Sequence, residues 1–343
     1  MSDRTTLKDV AREAGVHIST ASRALNPGTA AVVNPETLER VTEAARRLGY
    51  RPHPLARGLR TNRTMSVGMV IPDVENPLFG PIIAGAESVL VEEGYSVLIG
   101  NADRGPSHAE TVIEEMRERH VDGLILATAG RQESEAAASA RKEIPVVLVN
   151  RTVDGDTVPS IVGDDHAGIG LAVEHLAGLG HQRIGHVAGP SWVSTGLGRR
   201  QAFLHWMTRM GLHSDEDLVE EAEWYQLEPG YTAAVALLDR HPELTAIVAA
   251  NDLLGLGCYR AIRSLGKEVA SDVSVTGYND IPLLDLMQPA MTAVRVPYRE
   301  MGATAATTIL SLMGGEEVST APVRLTPSLV VRASTAPPPD GGS

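Results

Sequence analysis

From residue 66 onward, apolar runs of strand length alternate with amphipathic stretches of helical length. This pattern restricts the fold more than any other feature. The strand-like runs fall at 66–71, 96–100, 123–127, 146–150 and 161–163, and a second series follows at 184–188, 246–250 and 274–276. Helical stretches separate them, at 81–93, 109–119, 168–179, 199–210 and 254–265. Strands that alternate with helices form parallel sheets with crossover connections. Two series predict two doubly wound α/β halves, with a ligand in the cleft outside the carboxyl ends of the strands. At 343 residues the chain also exceeds one ordinary domain.

The chain has no apolar run of membrane-spanning length, and its start, Met1-Ser2-Asp3-Arg4-Thr5-Thr6, lacks the apolar core of a secretory signal. Its single cysteine, Cys258, allows neither an internal disulfide nor a cysteine metal cluster. A cytoplasmic protein is expected. The net charge of −13 hides an asymmetry: residues 1–63 carry +5 and the remainder −18. A basic head on an acidic body fits DNA contact confined to the head. Charge alone fits a solvated basic N-terminus equally well.

The head reads as three short helices. Leu7, Val10, Ala11 and Ala14 share one apolar face behind Thr6, an N-cap with Asp9 three positions on. Gly15 ends that helix. A second runs over 18–25 with Ala21, Ala24 and Leu25 inward, giving the helix-turn-helix pattern. Asn34-Pro35-Glu36 starts a third, with Leu38, Val41, Ala45 and Leu48 on its core face.

Thr6-Leu7-Lys8-Asp9-Val10-Ala11-Arg12-Glu13-Ala14-Gly15-Val16, then Thr20-Ala21-Ser22-Arg23, then Leu48-Gly49-Tyr50-Arg51-Pro52 closely resemble the headpiece of the LacI (GalR/LacI) family of repressors. The order of motifs continues to about residue 332. The resemblance implies a second helix in the major groove, with Ile18, Ser19 and Arg23 at base edges and Thr20, Ser22 and Asn26 at phosphates. The chemistry agrees: Arg bonds guanine bidentately, Ser bonds either base type, and an aliphatic side chain meets a thymine methyl. His17 departs from the family's capping Ser, so the second helix is expected to be capped less well, or by Ser19 after a shift. Residues 51–63 resemble the family's hinge, which implies Leu59 as a minor-groove wedge, Ala56 beside it, and Arg57 and Arg60 near phosphates. Gly58 weakens such a helix, so its folding should depend on DNA.

Enzyme chemistry is not expected in the body. Val70-Ile71-Pro72-Asp73 stands where a dinucleotide-binding loop would follow the first strand, and no phosphate-binding loop, zinc-protease or nucleophile-elbow motif occurs. His175 and His181 fit helix packing and capping better than metal ligation. No cofactor and no metal are expected. The candidates for the cleft come from strand ends: Asp73, Asn76 and Phe79, then Asn150 and Arg151, then Asp164 and Asp165, then Asn251 and Asp252, and Asn279 and Asp280. The resemblance implies that Asp73, Arg199, Asn251 and Asn279 line an effector site in a type I periplasmic-binding-protein-like core. It also implies that Tyr225 stacks on the ligand and that Trp192 lies in a cleft-facing loop. Amides, carboxylates and a guanidinium suit a polyhydroxyl, sugar-like ligand. Local caps and Asx turns are the competing reading for each Asn and Asp, and are preferred for Asp252 and Asp280. Asn279 departs from the acid often found at its position.

The expected organisation is an all-α helix-turn-helix headpiece over 1–50, a hinge over 51–63, an effector-binding and dimerisation core over 64–332, and a disordered tail over 333–343. The expected function is a sequence-specific transcription regulator, a repressor by resemblance, that binds a pseudo-palindromic double-stranded operator as a homodimer. It would be nucleoid-associated and tuned by a sugar-like effector, without membrane contact. Residues 78–92 and 283–287 are the expected interface, and a tail without leucine heptads excludes a coiled-coil tetramer. The alternative is a cytosolic sugar-binding or sugar-converting protein whose basic head is incidental. The sequence does not separate repression from activation.

Overall fold

The computed structural model describes residues 5–25, 30–50, 63–102, 106–132 and 134–339, in two compact units, 1–64 and 65–343. The expected DNA contacts Asn26, Ala56, Arg57, Leu59 and Arg60 lie outside the described residues.

The first unit holds α1 (Leu7–Glu13), α2 (Ile18–Ala24) and α3 (Pro35–Arg47). Thr6 and Asp9 form a complete capping box: each satisfies the other's backbone N–H. Gly15 takes a φ of +65°, the left-handed turn its sequence position predicts. His17 itself caps α2, its Nδ1 accepting the Ser19 N–H at 3.3 Å. The expected poor or shifted cap is thereby corrected: an imidazole nitrogen reaches the same donor that a Ser hydroxyl would. Asn34 caps α3 through the Glu36 N–H at 2.9 Å, and Pro35 opens the helix. Val10, Ala21 and Val41 are fully buried where the three helices meet, among five further alanines. Such small side chains let short helices approach closely, but leave little apolar area to lose by substitution.

The second unit has two six-stranded sheets. β1 (Ser66–Ile71), β2 (Ser96–Asn101), β3 (Gly123–Leu126), β4 (Val146–Val149), β5 (Ser160–Gly163) and β11 (Val323–Leu325) form the first, in the order β11-β5-β4-β3-β1-β2. β6 (Ile184–Ala188), β7 (Val219–Glu221), β8 (Ala246–Ala249), β9 (Ser274–Asn279), β10 (Thr292–Arg295) and β12 (Ser328–Val330) form the second, in the order β12-β10-β9-β8-β6-β7. Every pairing is parallel except β10 with β12. The two orders repeat one topology. In each half the chain reverses direction across the sheet beside its first strand, and ligand clefts form at such a switch point.

The remaining helices are α4 (Phe79–Glu92), α5 (Pro106–Glu118), α6 (Glu135–Glu143), α7 (Asp165–Gly178), α8 (Ser194–Arg209), α9 (Leu227–Arg240), α10 (Asp252–Ser264) and α11 (Tyr298–Met313). The chain crosses between halves three times: after β5, after β10 to bring α11 back onto the first sheet, and between β11 and β12. α11 packs against α4 at backbone contact. A Cβ at Gly302 would stand 1.9 Å from the Ile82 carbonyl oxygen, and one at Gly85 2.0 Å from that of Arg299. No helix among the described residues is long and apolar enough to cross a membrane.

The tail expectation is corrected over residues 333–336. Ser334 is fully buried: its hydroxyl donates to the Val275 carbonyl at 2.6 Å and accepts from the Thr292 N–H at 2.8 Å. Ala336 bonds the Ser274 hydroxyl with both its N–H and its carbonyl. The composition of Ala333 to Pro339 gave no periodicity to reveal this, because the segment docks through backbone and hydroxyl bonds rather than an apolar stripe. His175 and His181 anchor the same segment, through Thr335 at 2.8 Å and the Ala336 carbonyl at 2.9 Å.

Candidate nucleic-acid face and effector cleft

On α2, Ala21 and Ala24 point inward, so Ile18, Ser19, Ser22 and Arg23 take the opposite face. Ile18 is 42% exposed. An aliphatic group, hydroxyls and a guanidinium therefore stand together on one short helix, with Thr20 on its flank.

In the body, a cavity of about 600 Å³ opens between the two halves. All eight residues singled out for the effector line it: Asp73 and Phe79 after β1, Arg151 after β4, Trp192 after β6, Arg199 on α8, Tyr225 after β7, Asn251 after β8 and Asn279 at the end of β9. The strand-end rule brings these residues together from seven separate segments.

Arg199 is 4% exposed and fully engaged on its inner side. Its Nε donates to Asp165 Oδ1 at 2.8 Å, its Nη1 donates to the Ala250 carbonyl at 2.6 Å, and the guanidinium lies 3.8 Å over the Tyr278 ring. Burial is the largest influence and opposes its charge, but the Asp165 carboxylate together with Tyr278, Tyr225 and Tyr298 holds the guanidinium above its usual range. Arg151 is the contrast. It is 8% exposed, its buried Nε has no partner, and no carboxylate pairs with it among the described residues. Burial pushes it down to about 10, Tyr225 opposing and neighbouring Arg199 adding to the shift. Its guanidinium stands 5.8 Å from the Trp192 ring centre. A buried cation without a partner favours any ligand that brings acceptor oxygens.

Several amides and carboxylates do two jobs. Asn251 caps α10 through the Leu254 N–H at 2.8 Å, which leaves its Nδ2 as the donor for a ligand. Asn279 accepts from Tyr298 Oη at 2.6 Å and takes a φ of +116°, a strained strand end that aims it at the cavity. Asp73 accepts from the Glu75 N–H at 2.9 Å in a local turn. Asp252 and Asp280 are structural. Asp252 accepts from the Ile281 N–H at 2.8 Å and is driven well above the carboxylate range by burial. Asp280 pairs with Arg295 and Arg332.

The aromatic wall holds more than the sequence suggested. Trp224 meets Trp192 edge to face, the ring centres 5.5 Å apart and each side chain 37% exposed at the cleft. Tyr225 lies against Gly189, where a Cβ would come within 2.2 Å of the ring, and its hydroxyl donates to Thr195 at 3.2 Å. Trp224 and Thr128 also line the cavity and were missed, whereas Asn150, a strand-end candidate, is there as expected. Trp224 is one of three tryptophans and sits beside Tyr225, a signal that was available. The strand that precedes it, β7, has only three residues, two of them acidic, and gives no apolar run. Among the described residues, no group of three or more His, Cys, Asp or Glu side chains is placed to hold a metal.

A helix-turn-helix unit and a two-sheet, cleft-bearing body in one chain define a ligand-responsive DNA-binding regulator. Residues 6–53 match the family described as "Bacterial regulatory proteins, lacI family", and residues 173–335 match the "Periplasmic binding protein-like domain". The HTH-type transcriptional regulator MalR of Streptomyces coelicolor is 36% identical over 98% of both chains. The transcriptional regulator CelR–cellobiose complex has 31% identity and a TM-score of 0.74, over 96% of this chain and 100% of that one. The Lac repressor dimer bound to operator and the anti-inducer ONPF has 28% identity and a TM-score of 0.85, over 97% and 100%. The chain belongs to the LacI family of bacterial regulatory proteins. It is a DNA-binding transcriptional regulator and not an enzyme.

Proposed function

We propose that this regulator represses its target by binding a pseudo-palindromic operator as a homodimer, at the nucleoid, and that a sugar-like effector in the cleft tunes that binding. The single observation that carries the effector reading is the convergence of both halves on one cavity. Asp73, Phe79 and Arg151 come from the first half, and Trp192, Arg199, Tyr225, Asn251 and Asn279 from the second. A pyranose presents hydroxyls to such donors and acceptors and an apolar face to Trp and Tyr rings. Ligand contacts shared by both halves bind the closed arrangement better than the open one, and that differential affinity is what shifts a conformational equilibrium. The relatives support the ligand class: one is solved with cellobiose and another is named a ribose operon repressor.

On α2, Ile18, Ser19 and Arg23 read base edges while Thr20 and Ser22 bind phosphates, and Asn26, Ala56, Arg57, Leu59 and Arg60 extend the contact. A two-fold operator calls for a two-fold protein. Val91 on α4 and Leu283 and Leu286 in the 283–287 segment are large apolar side chains left exposed, which supports those segments as the interface. The test is a thermal-shift screen of mono- and disaccharides, followed by operator titration with each hit. A sugar that raises the melting temperature and alters operator affinity is expected. A full screen without a hit would count against the effector class.

A further inference from the structure

A second cavity, of about 540 Å³, lies at the crossover between the halves. The first half contributes Val162, Gly163 and Arg324, at the sheet edge opposite β2. The second contributes Ser194, Gln201 and His205 from α8, and Asp165 and His166 from the start of α7. The wall is built. Trp206 Nε1 donates to the His166 carbonyl at 3.0 Å, and the Trp206 ring packs where a Cβ on Gly170 would sit 2.4 Å away, which locks α7 to α8. This places the His166 and His205 rings 4.9 Å apart.

The side chains that would meet a ligand here, His166, Gln201, His205 and Arg324, are exposed. Arg324 has no ion partner among the described residues, and Gln201 and the two imidazoles can each offer an N–H. Ser194 accepts from the Thr152 N–H at 2.9 Å and keeps its own proton to donate. The one carboxylate, Asp165, is matched by Arg199. Asn150 lines both cavities, is 7% exposed, has no side-chain partner among the described residues, and holds a φ of +65°. The two cavities thus share a septum, Asn150 and the Asp165–Arg199 pair.

We propose that this cavity is a second ligand site, which takes a small metabolite through an oxyanion group, phosphate or carboxylate, and is coupled to the effector cleft through that septum. An anion beside Asp165 changes the field at Arg199, and a body wedged between the halves at the crossover biases their closure. Any such coupling is reciprocal.

The experiment is calorimetric titration of the full chain with inorganic phosphate and, in a second arm, citrate, at matched ionic strength. Saturable binding is expected for at least one probe, and which of them binds assigns the oxyanion. Arg324→Gln and His205→Gln should each weaken it about tenfold, the loss of a charge-assisted bond, while Arg151→Gln should leave it unchanged. Saturating probe should also shift operator affinity at least twofold in the wild type and not in an Arg324→Gln, His205→Gln double variant. No saturable heat with either probe, loss of binding in Arg151→Gln with retention in Arg324→Gln, or equal binding to every variant would overturn the site. Binding that leaves operator affinity unmoved would overturn the coupling.

Discussion

Asp165 at the start of α7 holds Arg199 on α8 by a 2.8 Å bond to Nε, so a buried guanidinium is aimed at the cleft by a carboxylate outside it. The carboxylate that balances Arg199 therefore stands outside the cavity that the guanidinium lines.

Removing that guanidinium should therefore cost both stability and response. Arg199→Met leaves Asp165 without its partner, and breaking a buried pair costs about 3–5 kcal/mol, the lower end applying to a partly exposed carboxylate. Urea unfolding monitored by circular dichroism reads the loss. The double variant Arg199→Met, Asp165→Leu should recover part of it, because both charges are then gone.

The cleft tryptophans supply a direct reporter. Trp192 and Trp224 are exposed at the cleft and Trp206 packs away from it, on Gly170. A ligand that stacks on the first two should change the emission of the native protein. Trp224→Phe and Trp192→Phe should each diminish that change, and a Trp206→Phe variant should retain it. Trp224→Ala should weaken the ligand about tenfold, in line with the loss of an aromatic face.

Acid should destabilise the body through His186. This ring is fully buried, stacks 4.8 Å from Phe203, and its Nδ1 donates to the Val248 carbonyl at 2.7 Å. Burial pushes it down to about 4 from 6.5. A depressed histidine binds fewer protons folded than unfolded, so its contribution is intact above 6.5 and is lost as pH falls toward 4. The difference corresponds to about 3 kcal/mol. Unfolding free energies measured from pH 7.5 to 4 should show this slope, and His186→Gln should flatten it.

His17 gives a test of the head. His17→Ala removes the cap of α2 and should cost about 1 kcal/mol, with weaker operator binding at any sequence. His17→Ser supplies an ordinary capping hydroxyl and should bind at least as well. Anisotropy titration of a labelled operator separates the two outcomes. Equal affinities for His17→Ala and the wild type would contradict the capping role.

The legible parts of this chain were those where one physical rule acts locally. The apolar runs at 66–71 and 246–250 became β1 and β8 because central parallel strands are buried on both faces. The predicted helices began two to five residues late. Their first turns, such as Ser194 to Leu197 in α8, carry capping and cleft residues that break the apolar period. The edge strands β7, β11 and β12 have three residues each and lack any run to detect. At the cleft, residue types at strand ends were informative, but their division of labour was not. That Asn251 spends its oxygen on a helix cap, or that Arg151 has no partner while Arg199 has two, depends on contacts between distant segments.

The most direct measurement is operator affinity of the full chain across a salt series, with and without a sugar identified by thermal shift, for wild type and Arg199→Met. Affinity for a two-fold site near its own gene should fall steeply with salt, as phosphate contacts require, and should change on adding the sugar in the wild type alone. Salt-insensitive binding, or a sugar response that Arg199→Met retains in full, would contradict a DNA-reading head governed by this cleft.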